Sequence, residues 1–185
     1  MTEPLFFDTD CLSAFLWVND HSLLALLYPG RIVIPAEVYA ELSVPTVPHL
    51  RERIDAMLRD GSAMLERIQS DTEEYRLYRK LSARPDPGHA VIGRGEAAAI
   101  VLAKGHSGIL ASNNLRDIAA YVEEFRLKHM TTGDILNDAF RKGLITEQEG
   151  NRLWREMLKK RRRLGYASFS DYLKAQDTGS GRRFF

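Results

Sequence analysis

A chain of 185 residues, with 44% hydrophobic and 28% charged side chains, fits one soluble domain with a sizeable core. Cys11 is the single cysteine, which excludes an internal disulfide framework. No apolar run nears the ~20 residues of a membrane helix, and Met1-Thr2-Glu3-Pro4 lacks the basic head of a secretion signal, so a cytoplasmic protein with no membrane association is expected. The net charge of +1 hides a split: residues 1–150 carry 16 Lys and Arg against 22 Asp and Glu, and residues 151–185 carry 10 against 3. That asymmetry describes an acidic body with a basic end able to meet a polyanion or an acidic partner.

Leu5-Phe6-Phe7-Asp8 is too short for a helix and suits a buried parallel strand ending in an acid. Thr9 and Asp10 offer caps for a helix from Cys11 to Val18. A second apolar helix runs from His21 to Tyr28 and stops at Pro29-Gly30. Arg31-Ile32-Val33-Ile34, bounded by Gly30 and Pro35, reads as a second strand, and Pro35 opens a helix over Ala36 to Leu42. Beyond Pro45 and Pro48 come an amphipathic helix, His49 to Arg59, and a weaker strand, Met64 to Ile68. Asp71 offers a cap for a helix from Thr72 to Leu81, and Arg84 to Gly93 is a breaker-rich, mobile loop.

Next, Gly93-Arg94-Gly95-Glu96 leads into a helix of small apolar residues that stops at Gly105. Glu96 falls in its first turn, where the helix dipole favours an acid by roughly 0.3–1 kcal/mol. Gly108 to Ser112 is a strand, followed by Asn113-Asn114 and a helix from Leu115 to Glu124. Leu127 to Met130 is the last strand, and Thr132 offers a cap for a helix from Gly133 to Lys142. Thr146-Glu147-Gln148-Glu149 has the spacing of a capping box and opens a long basic helix. The alternation predicts an α/β fold: a small doubly wound, mainly parallel sheet with helices on both faces and an extra C-terminal helix. It divides into a domain over 1–146, a basic helical extension over 147–176 packed on it, and a disordered tail over 177–185.

In such sheets ligands bind beyond the carboxyl ends of the strands. The chain sets Asp8 and Asp10 there, then Glu37 and Glu41, then Glu96, then Ser112-Asn113-Asn114 with Asp117 a turn later. Carboxylates gathered without paired lysines repel one another and imply a bound cation, and oxygen ligands alone favour Mg²⁺ or Mn²⁺ over zinc. Each residue also has a plainer role open to it: a turn at Asp8 and at the asparagines, a cap at Asp10, a solvated helix acid at Glu41. The five histidines share no metal-ligand spacing with one another or with Cys11, and neither a P-loop nor a nucleophile elbow is present.

These segments together resemble the PIN-domain family. Phe6-Phe7-Asp8-Thr9-Asp10 is similar to its opening strand, and Ile34-Pro35-Ala36-Glu37-Val38-Tyr39-Ala40-Glu41-Leu42 to its proline-led helix. Gly95-Glu96-Ala97-Ala98-Ala99-Ile100 resembles its Gly-Glu-x-x-Ala helix start, and Thr132-Gly133-Asp134-Ile135-Leu136 its closing helix. The resemblance covers about residues 5–146. It implies Mg²⁺- or Mn²⁺-dependent RNA cleavage, with Asp8, Glu41 and Glu96 as metal ligands, and often a toxin paired with an antitoxin. Thr9 and Asn113 then stand as supporting groups.

One departure is plain, since Asn113-Asn114 stands where the family usually has acids after the fourth strand. An amide offers a neutral oxygen and removes charge from the site, and Asp117 compensates if its helix turns it inward. The catalytic set expected is therefore Asp8, Glu41, Glu96, Asn113 and Asp117. Arg94, Arg116, Lys159, Lys160 and Arg161 are the candidate RNA contacts, and Trp17 with Leu23, Leu24, Leu26 and Leu27 packs a core or a homodimer face. A PIN-like protein that binds RNA or a protein partner without cutting stays open as the alternative.

Overall fold

Leu5, Phe6 and Phe7 have no exposed surface, as a strand buried on both faces requires. In a computed structural model, which describes residues 2–87 and 89–178, they form β1 (Leu5–Phe7), the middle of a five-stranded, wholly parallel sheet. The other strands are β2 (Ile32–Pro35), β3 (Ala63–Glu66), β4 (Ile109–Ala111) and β5 (Lys128–Met130), and the spatial order is β3-β2-β1-β4-β5. Side chains alternate between the two faces. Leu5, Phe7, Ile32, Ile34 and Ala111 join one core, while Phe6, Val33 and Leu110 join another.

The first core is covered by α1 (Thr9–Trp17), α2 (Ser22–Leu27), α3 (Ala36–Leu42), α4 (Pro48–Arg59) and α8 (Thr132–Arg141). The second is covered by α5 (Glu73–Ala83), α6 (Arg94–Gly105) and α7 (Leu115–Glu124). Residues Ala97 to Ala103 of α6 are all buried, so the helix is apolar all round and its small residues let it lie close to the sheet. The fold is thus the expected doubly wound α/β sheet with helices on both faces.

Local boundaries differ from expectation at three caps. Asp8, not Thr9 or Asp10, caps α1, accepting the Cys11 N–H at 2.7 Å. Thr72, not Asp71, caps α5, and Asp71 instead takes a left-handed φ of 66° in the turn before it. Thr131, not Thr132, caps α8 in a reciprocal capping box with Asp134. In each case the residue that caps, Asp8, Thr72 or Thr131, has the extended backbone that an N-cap needs.

α9 (Glu147–Lys159) and α10 (Phe169–Asp177) complete the described helices. Leu153, Trp154 and Met157 from α9, and Phe169 and Tyr172 from α10, lie in the same core as Phe7, Leu12 and Phe15. The Trp154 indole N–H donates to the Tyr166 carbonyl at 3.0 Å, and Gly150 lets the two helices touch: a Cβ there would sit 2.6 Å from Phe169 Cε1. The tail expected from residue 177 begins in the last turn of α10, and residues 179–185 lie outside the described residues. Among the described residues no helix is long and apolar enough to cross a membrane.

Candidate active site

From β1 the chain winds one way through β2 and β3, and later the other way from β4 to β5. The crevice between the ends of β1 and β4 is therefore the topological switch point, where ligands bind in open α/β sheets. Asp8 stands on one side of it and Ser112-Asn113-Asn114 on the other; the Asp8 N–H donates to the Ala111 carbonyl at 2.9 Å. Asp8 is fully buried. One carboxyl oxygen takes the Cys11 N–H, and the other, Oδ2, has no hydrogen-bond partner among the described residues. Burial pushes its pKa from 3.8 up to about 7; the negative charges of Asp10 and Glu96 add to the rise, and the Ser112 hydroxyl and Cys11 amide oppose it.

Across the crevice α3 and α6 meet through Glu41. Its Oε1 accepts the Gly95 N–H at 2.9 Å, and its Oε2 takes a short hydrogen bond from the Thr9 hydroxyl. Gly95 is required by this approach, because a Cβ would fall 2.7 Å from Glu41 Oε2 and on top of the Thr9 hydroxyl. Glu96 reaches back to the Gly93 N–H with Oε2 at 3.0 Å, which fixes its rotamer. Its Oε1 accepts the Asn114 Nδ2 at 2.6 Å, and the same amide donates to Asp117 Oδ2 at 2.9 Å. Asp117 is thus turned towards Glu96, with the amide between two carboxylates.

Asn113 does something else. Its Oδ1 accepts the Thr132 N–H at 2.9 Å and its Nδ2 donates to Thr132 Oγ1 at 2.9 Å, so both ends of the amide clip β4 to the start of α8. His129 on β5 braces the same strand end, with Nε2 2.8 Å from the Ser112 carbonyl; burial lowers its pKa, which favours a neutral ring. Ser112 and His129 had no assigned role in the sequence, and Asn114 was read as a neutral amide standing where an acid is usual. A further signal for Asn114 is its place three residues before Asp117, a spacing that puts two side chains on one side of a helix.

A PIN-domain family model matches residues 5–177. The chain belongs to the PIN-domain family. Comparison with curated proteins and with solved structures returned no match. PIN domains have a nuclease-type fold and generally use divalent metals. The PIN-domain match extends through α9 and α10, the two helices that the sequence resemblance left out.

Among the described residues of this PIN domain, no three His, Cys, Asp or Glu side chains converge as a ready metal cage. The donors at the switch point still suit a hard cation. They are all oxygens, Mg²⁺ is commonly held by only one or two carboxylates with water filling its other positions, and Asp8 Oδ2 is a buried acceptor without a donor. The candidate RNA-binding side chains fall in two places. Arg94 donates to the Tyr78 hydroxyl at 3.0 Å on the side of α6 that faces α5, and Arg116 is exposed at the start of α7. Lys159 pairs with Glu156 at 2.7 Å, Lys160 lies over the Trp17 ring at the end of α1, and Arg161 is exposed in a turn. Of the leucines grouped with Trp17, Leu23, Leu24 and Leu27 are core and Leu26 is 68% exposed.

Proposed function

We propose that this PIN domain is a Mg²⁺- or Mn²⁺-dependent endoribonuclease whose reaction takes place between the ends of β1 and β4. The observation that carries the reading is Asp8: a buried carboxyl at the switch point, with one oxygen unpaired and Glu96 beside it. Such a group is unfavourable as an anion unless a cation joins it. Asp8 and Glu96 are the residues to hold that cation, with Asn114 and Asp117 flanking them. A bound divalent ion supplies an acidified water and neutralises charge developing on phosphorus.

The chain's own part is to position the groups. The Gly93 N–H and the Asn114 amide fix both oxygens of Glu96, so that its charge is aimed before substrate arrives. Glu41, held by Thr9 and the Gly95 N–H, is the carboxylate that orients the attacking water and takes its proton. The water oxygen bonds to phosphorus, one P–O ester bond breaks, and the leaving oxygen takes up a proton. Arg94 and Arg116 flank the start of α6 and α7 and serve as outlying phosphate contacts.

A second reading has its own observation. With Asn113 and Asn114 in place of acids and no three carboxylates converging among the described residues, the domain binds RNA or a protein partner without cutting it. A toxin acting against an antitoxin, working as a homodimer, is the setting implied by the family for the cutting form. The test is cleavage of mixed RNA in Mn²⁺ by wild type, Asp8→Asn and Glu96→Gln. Cleavage by wild type alone supports the enzyme. Cleavage that persists in both variants removes this site from the mechanism, and an inert wild type that retains RNA supports the second reading.

A further inference from the structure

The chain's excess positive charge is carried past the end of α9, in Lys159-Lys160-Arg161-Arg162-Arg163. This segment does not hang free. The Arg162 Nη1 donates to Asp10 Oδ1 at 3.0 Å and to Ser13 Oγ at 2.8 Å, and the Lys160 ammonium lies 5.2 Å from the centre of the Trp17 ring. Asp10 and Trp17 stand near opposite ends of α1, seven residues or about 10 Å apart at 1.5 Å per residue. The basic segment is therefore laid along α1, running from its C-terminal end towards the end that Asp8 caps.

Its backbone is fixed as well. The Arg161 N–H donates to the Leu158 carbonyl at 2.8 Å, the Arg162 N–H to the Met157 carbonyl at 3.1 Å, and Arg161 takes a left-handed φ of 59°. Arg162 spends its charge on Asp10, and Lys159 pairs with Glu156. Lys160, Arg161 and Arg163 are left exposed on one ridge, and Arg163 is near enough to Asp10 to act on its charge.

We propose that this ridge is a track for single-stranded RNA, with Lys160, Arg161 and Arg163 taking successive backbone phosphates and leading the strand to Asp8 and Glu96. The inference rests on the nuclease reading above and gives its substrate a path. A polyanion needs only ordered cations, whereas a protein partner needs apolar anchors at the centre of its footprint. Among the described residues, Leu158 is the one large exposed apolar side chain in this segment. Arg162 is a positioning residue here: it moors the ridge to α1 and contacts no phosphate.

The experiment is fluorescence anisotropy of a short labelled single-stranded RNA in EDTA, where no cleavage occurs, across a salt series. The variant Lys160→Ala/Arg161→Ala/Arg163→Ala is compared with Arg76→Ala/Arg79→Ala/Lys104→Ala, which removes equal charge from α5 and α6 on the opposite face of the sheet. Each phosphate contact on a single strand contributes about 0.7 to the slope of log affinity against log salt, so the ridge variant loses about 2 from that slope and about tenfold or more in low-salt affinity. The opposite-face variant stays within about twofold of wild type. Equal behaviour of the two variants overturns the track, and so does a wild type that does not bind RNA in EDTA or whose ridge variant loses only an acidic protein ligand. Cleavage in Mn²⁺, run in parallel, reports separately on the carboxylates: a track without cleavage refutes the nuclease reading alone.

Discussion

Replacing Asp8 with Asn should make the metal-free protein more stable, and only above acid pH. The folded protein holds the Asp8 proton up to about pH 7, whereas the unfolded chain releases it near 3.8. Between those values the unfolded state binds fewer protons than the native state, so this residue's contribution makes stability fall as pH rises, and the loss is complete above pH 7. About three pKa units at 1.36 kcal/mol each amount to about 4 kcal/mol, with no discount for solvent because the side chain is fully buried. Asparagine keeps an oxygen for the Cys11 N–H and cannot ionise.

In EDTA at pH 8 the Asp8→Asn protein should therefore melt about 10 °C above wild type, from 2–4 °C per kcal/mol for a chain of this size. At pH 4 the gap should close. Mn²⁺ should then close more than half of the gap at pH 8, since a ligand at 100 times its Kd stabilises by about 2.7 kcal/mol and the variant lacks the charge to bind it. The measurement is a thermal melt of both proteins at pH 4, 6 and 8, with and without Mn²⁺. A gap of equal size at pH 4 and pH 8, or a wild type that gains stability between those values relative to the variant, would refute the reasoning.

Asn114→Asp removes the amide that bridges Glu96 and Asp117 and adds a third negative charge; in EDTA it should cost about 1–3 kcal/mol by thermal melt, while titration calorimetry should show tighter Mn²⁺ binding. Gly95→Ala drives a methyl against Glu41 and the Thr9 hydroxyl, so Mn²⁺-dependent cleavage should be lost at a stability cost of about 1–3 kcal/mol, read from rates and melts on the same sample. Trp154→Ala should cost about 3–5 kcal/mol and still unfold in one step by fluorescence and circular dichroism in urea; a separate early transition would mean that α9 and α10 fold apart from the sheet.

Much of this was legible because the signals were local. Leu5-Phe6-Phe7-Asp8 can only be a short buried strand ending in an acid, and Gly93 to Ala103 can only be a flexible start feeding a helix with no polar face. Caps were misplaced by one residue at α1, α5 and α8 because several adjacent Ser, Thr or Asp side chains qualify, and the backbone angle that decides among them is a tertiary outcome. The basic end was read as a packed helical extension with Lys159, Lys160 and Arg161 as candidate RNA contacts, without its path along α1. That Arg162 would reach Asp10, 152 positions away, depends on how Trp154 and Phe169 seat α9 on the core, which no spacing in the chain reveals.

The asparagine pair looked at first like a simple loss of charge, and the two residues turn out to have separate work. Asn113 is bound at both ends to Thr132, accepting from its N–H and donating to its hydroxyl, whereas an acid at this position would need that hydroxyl turned round to donate. Asn114 brings Asp117 and Glu96 within reach of one amide. An acid at position 114 would oppose both of them in the absence of metal, whereas the amide holds them together without adding charge. On the proposed reading, the negative charge absent after β4 is supplied one helical turn later by Asp117, which the Asn114 amide holds. It follows that Asp117 carries weight only through Asn114: Asp117→Asn should weaken Mn²⁺ binding in the wild-type background and much less in Asn114→Ala, and equal losses in both backgrounds would mean that the two residues act independently.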